Sequence, residues 1–175
     1  MTSILLADLT YYPYLDDAGQ VTDAFSGKVG VYAIFDHAQT LQYISYSRDV
    51  SFSLKQHLIR QPHHCYWFKV QTIDRPNRTA LEEIRASWIS ENGAIPPGNA
   101  EEAAAWSQAI DVKAQMTAAE QAVYEASDGL DKVKVLKKIA RRVEEDVLAQ
   151  LEARGVKMPL RFDPKAKEEG LLLLK

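Results

Sequence analysis

The side chains suited to chemistry fall in four places. Residues 132 to 142 read KVKVLKKIARR, which sets Lys134, Lys137, Lys138, Arg141 and Arg142 on the polar side of a helical pattern. Such a row can follow phosphates or meet an acidic partner. The acidic EED of residues 144 to 146 comes within one turn, so a solvated face laced by i,i+4 ion pairs fits the same residues. His63, His64 and Cys65 adjoin one another, but a closed zinc site takes four ligands and the other histidines are His37 and His57. A polar loop entering a strand with a buried thiol is the simpler reading. Tyr11, Tyr12 and Tyr14 flank Pro13, a spacing that either stacks bases or packs the N-terminal segment over a sheet. The fourth place is residues 28 to 58, KVGVYAIFDHAQTLQYISYSRDVSFSLKQHL, where Tyr32 closes GVY and Tyr43 opens YIS.

The elements that must position these groups are legible from period and composition. VGVYAIF (29–35) and LQYISY (41–46) are rich in Val, Ile, Tyr and Phe around the polar DHAQT, which predicts an antiparallel hairpin. From Arg48 to Arg60, Val50, Leu54 and the Leu58/Ile59 pair recur at helical spacing, with Ser47 or Asp49 as N-cap. CYWFKVQTI (65–73) is a third strand by its aromatic and β-branched content. After an RPN turn, Thr79 to Asn92 is a helix with Leu81, Ile84, Trp88 and Ile89 as its stripe and Gly93 as its stop. The expected fold is α+β, a small three-stranded antiparallel sheet with flanking helices.

Composition changes near residue 99, after the rigid turn AIPPGN. Beyond it come an Ala-rich helix from Glu101 to Ile110 and a capping box formed by Thr117 and Glu120. A break at SDG precedes a helix of about 25 residues in which Leu130, Val133, Leu136, Ile139/Ala140, Val143, Val147 and Leu151 make the apolar stripe. The organisation that follows is a packing segment at 1–27, the sheet domain at 28–99, a helical extension at 100–155 and an irregular tail at 156–175 containing Pro159 and Pro164.

Composition narrows the function classes. The 21 basic and 24 acidic residues leave a net charge of −3, so the chain as a whole has no pull on phosphate backbones and a nucleic-acid contact needs a local patch. Candidates for that patch, or for a partner-protein contact, are Arg48 and Lys55 beside the hairpin and Lys134, Lys137, Lys138 and Arg141 on the long helix. One cysteine excludes an intrachain disulfide framework and agrees with a reducing compartment. The N-terminus MTSILLADLTYYPYLDD lacks a basic n-region, and the longest apolar run is the LLLL near the C-terminus, so a cytoplasmic protein with no membrane association is expected. GKVG and DGLD lack the spacing of a phosphate loop.

The hairpin carrying GVY and YIS, followed by helix, strand and a glutamate-bearing helix, resembles the GIY-YIG nuclease superfamily over about residues 28 to 99. That resemblance implies phosphodiester hydrolysis in which a hairpin tyrosine handles the proton of the attacking water. A helix arginine stabilises the phosphate, and a later glutamate holds one divalent metal, Mg²⁺ or Mn²⁺. The carried-over residues are Tyr32 as general base and Tyr43; Ser45 stands where the second motif has glycine. Ser53 falls at the arginine position, and His57 and Arg60, one and two turns on along the same helix face, are the candidate substitutes. In TALEEIRASWISENG one register puts Arg85 at the glutamate position, and a shift of one turn puts Glu82 or Glu83 there.

GVYAIFD, LQYISYSRDV, SLKQHL and IPPGN also look like the N-terminal GIY-YIG-type module of plastid monothiol glutaredoxins, which implies a cyanobacterial or plastid lineage. No CGFS-type motif follows, so neither iron–sulfur nor glutathione chemistry is expected. Three functions remain open: a catalytically degenerate module that binds a partner protein or nucleic acid, a metal-dependent DNA endonuclease, and an accessory protein that binds a partner through its C-terminal helices.

Overall fold

A computed structural model describes residues 3–175, which divide into two compact units. The first comprises residues up to Ser107 together with Gly155–Met158; the second comprises Gln108–Arg154 and Pro159–Lys175. The first unit therefore continues past the composition change at residue 99.

The hairpin forms as its sequence predicts. β2 (Val29–Phe35) pairs antiparallel with β3 (Leu41–Ser47), and the loop between them is closed by Asp36, whose Oδ1 accepts from the amides of Ala38 and Thr40. Helix α1 (Val50–Arg60) starts at Asp49, whose side chain accepts from the Phe52 amide, while Ser47 Oγ accepts from the amide of Asp49 itself. β4 (Trp67–Ile73) lies on the other side of β2, and α2 (Arg78–Asn92) runs from an Asn77 cap to Gly93, whose φ of 81° is the left-handed stop that glycine adopts readily.

The sheet has four strands, not three. Tyr12–Pro13, here β1, pairs with Phe68 and Trp67 of β4 and gives the order β1-β4-β2-β3. Two residues ending in proline carry no alternation, and proline donates nothing to a ladder, so this edge strand has no signature in the sequence. The tyrosines around it pack on the sheet, Tyr12 with 40% of its surface still exposed. Tyr14 is buried with its hydroxyl donating to the Leu54 carbonyl, Tyr12 stacks on Phe68, and Tyr11 meets Phe35 edge-on.

Alternation along β2 and β3 sends their side chains to two faces. Val31, Ala33, Phe35 and Ile44 join Leu81, Ile84 and Trp88 in an apolar core beneath α2. Tyr32 and Ile34, with Tyr43 and Ser45 across the hairpin, point to the α1 face instead. After the turn at Pro96, a short helix α3 (Ala103–Ser107) carries Trp106 into the first unit, where it is fully buried.

In the second unit, α4 (Ala118–Glu125) begins with the expected capping box of Thr117 and Glu120. α5 (Gly129–Arg154) buries Leu136, Ile139, Ala140, Val143, Val147 and Leu151. Leu130, expected on the same stripe, is 80% exposed, because it lies in the first turn before the buried face begins. The tail that reads as irregular contains α6 (Pro164–Glu168), capped by Asp163 with Pro164 at its first position. It also contains β6 (Leu171–Leu172), which pairs with β5 (Ile110–Asp111).

Candidate functional site

Tyr32, Tyr43, His57 and Arg60 come together on the α1 face of the sheet. The Tyr32 hydroxyl lies 2.7 Å from His57 Nε2, and His57 Nδ1 lies 2.8 Å from the carbonyl oxygen of Trp106. A carbonyl only accepts, so Nδ1 carries the hydrogen and Nε2 accepts the phenol proton. The result is a relay in which Tyr32 donates to His57 and His57 donates to the backbone of α3. Arg60 Nη1 donates to the same Trp106 carbonyl at 3.0 Å.

Trp106 closes this arrangement. Its ring stacks on Tyr43 at 5.1 Å and 17°, and Tyr43 meets His57 edge-on at 4.9 Å. Gly98 permits the approach, since a Cβ there would lie 2.9 Å from the Trp106 ring and 2.6 Å from the Gln42 carbonyl. Asn99 then pins the turn to the sheet edge, accepting from the Ile44 amide and donating to its carbonyl. The IPPGN turn is thus the bracket that seats Trp106.

Burial sets the protonation of the relay. Burial and, next, the neighbouring Tyr43 hold the Tyr32 phenol well above its ordinary range, against the pull of Ser45, Ser53 and Arg60. Burial, followed by the Arg60 charge, pushes His57 down to about 3, against its bond to the Trp106 carbonyl. Burial also lowers Arg60. At neutral pH the tyrosine and the histidine are both uncharged. Arg60 Nε and Trp106 Nε1 are buried donors with no hydrogen-bond partner among the described residues.

The glutamates lie elsewhere. Val31 pairs with Tyr46, and both belong to the α2 face. There the Tyr46 hydroxyl donates to Glu82 Oε1 at 2.7 Å and Arg85 Nη2 donates to Glu82 Oε2 at 2.7 Å. The Tyr46 bond first, then the charges of Arg85 and Arg78, hold the Glu82 carboxyl below its usual range. Both oxygens of Glu82 are therefore engaged, on the face opposite Tyr32, and Glu83 is an exposed residue of α2. Among the described residues no group of three or more His, Cys, Asp or Glu could hold a metal ion. The side chains around Tyr32 are phenol, imidazole, guanidinium, serine and indole, a donor set that does not fit Mg²⁺ or Mn²⁺, which take oxygen ligands led by carboxylates.

The candidate binding residues are scattered. Lys55 faces Asp23 at 3.4 Å, Arg48 is exposed beside α1, and Lys137 pairs with Glu168 at 3.2 Å. Lys134, Lys138 and Arg141 are exposed, while Arg142 is held by Glu120 and Asp146. His64 rests against Trp106, Cys65 is buried, and His63 is exposed. Sequence reasoning missed Trp106 and Asn99; a single large aromatic in the Ala-rich stretch EEAAAWS is the one signal that marks the former.

No family model matches the chain. Over 81 residues, 44% of the chain, it is 33% identical to the N-terminal region of a protein of Arabidopsis thaliana described as a bifunctional monothiol glutaredoxin-S16, chloroplastic. The match spans 28% of that protein's length. Among the described residues no helix is long and apolar enough to cross a membrane.

Proposed function

We propose that the first unit is a non-hydrolytic module of GIY-YIG type that binds a partner protein or nucleic acid. The observation that carries this reading is the closed state of the tyrosine: Tyr32 is 2% exposed and donates to a neutral His57, which Tyr43 and Trp106 cover in turn. A general base must reach the water it activates within hydrogen-bond distance. A phenol held protonated and buried at 2% exposure does not meet that condition. Ser53 leaves the phosphate without a guanidinium fork, and Arg60 spends its Nη1 on a backbone carbonyl.

The endonuclease reading draws on one feature, that His57 Nε2 is placed to take the proton of Tyr32. The accessory reading draws on the second unit, where Val123 is 55% and Leu130 80% exposed. Nicking of supercoiled plasmid by the full chain with Mg²⁺ or Mn²⁺ tests the preferred reading. The expected result is no metal-dependent nicking by the wild type or by Tyr32→Phe. Nicking by the wild type that disappears in Tyr32→Phe refutes it and restores the endonuclease.

A further inference from the structure

A second site is built on the opposite side of the sheet. Between the start of β2, the end of β3 and the start of α2 lies a cavity of about 260 Å³. Its polar lining is Ser47, Arg48, Asn77 and Arg78, and Tyr46 and Pro76 supply flat apolar wall. No lining residue is acidic. Neither guanidinium takes part in an ion pair among the described residues.

The neighbouring carboxylates have closer partners than the two arginines. Asp49 accepts from the Phe52 amide at the start of α1, and Glu82 holds the Tyr46 hydroxyl and Arg85. The remaining polar atoms are donors too. Asn77 Oδ1 accepts from the Ala80 amide, which leaves its NH₂ group available to donate, and Ser47 Oγ accepts from the Asp49 amide, which leaves its O–H to donate. Two guanidinium forks outside any ion pair, with two neutral donors over an apolar wall, are complementary to an anion attached to a compact apolar body.

We propose that this cavity binds a phosphate monoester, its phosphate between Arg48 and Arg78 and its organic body against Tyr46 and Pro76. Phosphate is favoured over carboxylate because two guanidinium groups together offer more N–H donors than two carboxylate oxygens accept in the forked geometry, whereas a monoester presents three free oxygens and up to two charges. The site is separate from the Tyr32 relay, which lies on the other face.

Calorimetric titration of the full chain with phenyl phosphate, methyl phenyl phosphate and benzoate tests the assignment. Phenyl phosphate is expected to bind more tightly than the diester and than benzoate. Arg48→Gln and Arg78→Gln are each expected to weaken it about 10-fold, the loss of one charge-assisted contact. Neither change touches a buried side chain, and far-UV circular dichroism verifies that both variants keep the fold. The assignment is overturned if millimolar phenyl phosphate gives no binding, if the diester binds equally, or if both variants keep wild-type affinity. It is overturned equally if Lys134→Gln with Lys138→Gln removes the binding instead.

Discussion

The two faces of one sheet are built on different principles. Beneath α2, Val31, Ala33, Ile44, Leu81, Ile84 and Trp88 form an apolar centre whose polar neighbours are each paired: Trp88 donates its indole N–H to the Ile4 carbonyl, Lys69 donates to the Leu6 carbonyl and Tyr46 donates to Glu82. Beneath α1 the sheet presents Tyr32 and Tyr43 to a buried histidine, an arginine and Trp106, whose own indole N–H has no partner among the described residues. The apolar face draws its stability from removal of area from water, which is non-directional. The α1 face buries Ile34, Leu54 and Leu58 as well and adds to that area a chain of hydrogen bonds from Tyr32 through His57 to the Trp106 carbonyl. Strand alternation also explains why the tyrosine and glutamate of one expected catalytic set part company: Tyr32 and Tyr46 belong to opposite faces of the same hairpin.

The largest test of this contrast removes the centre of the apolar face. Trp88 is 0% exposed, and Trp88→Ala is expected to lower unfolding free energy by about 4 kcal/mol, read from urea denaturation. A loss under about 1 kcal/mol would mean that α2 is not the structural face.

The next effect belongs to the α1 face and appears only in acid. His57 titrates at about 3 in the fold against 6.5 when unfolded. Between those values the unfolded chain holds a proton that the folded chain lacks, so stability is fully present above pH 6.5 and falls as pH drops toward 3. From pH 7 to pH 4 the histidine is expected to contribute a loss of roughly 3 kcal/mol. His57→Gln should remove that part of the slope, leaving the carboxylates' share; urea midpoints of both proteins at pH 4, 5.5 and 7 measure it. Parallel slopes would show that His57 is solvated or already charged in the fold.

Much of the first unit is legible in the amino-acid sequence, because its signals are periodic. The hairpin, α1, β4 and α2 each show alternation or helical recurrence over seven residues or more. β1 and β6 are two residues each and owe their conformation to partners distant in sequence, so no local period marks them. The cluster of Tyr32, Tyr43, His57 and Arg60 is legible from the hairpin motif and from helical spacing. Its lid is not, since Trp106 lies 46 residues beyond Arg60 in a five-residue helix with no stripe of its own. Leu130 shows the opposite error: periodicity runs one turn past the buried face.

The smallest effect is the sharpest discriminator, because it compares one substitution on both faces. Trp88→Phe removes an indole N–H that donates at 2.9 Å to the Ile4 carbonyl, whereas Trp106→Phe removes one with no acceptor among the described residues. Both changes shrink a fully buried ring by a similar volume, so the packing losses are alike. The hydrogen-bond term differs. On the α2 face a satisfied bond is lost and the Ile4 carbonyl loses a donor, a cost of about 1 kcal/mol. On the α1 face a desolvated and unpaired donor is deleted, which relieves a penalty of similar size. Trp106→Phe should therefore be the milder change by about 1 to 2 kcal/mol in urea denaturation. Equal losses would show that the Trp106 N–H has a partner in solution.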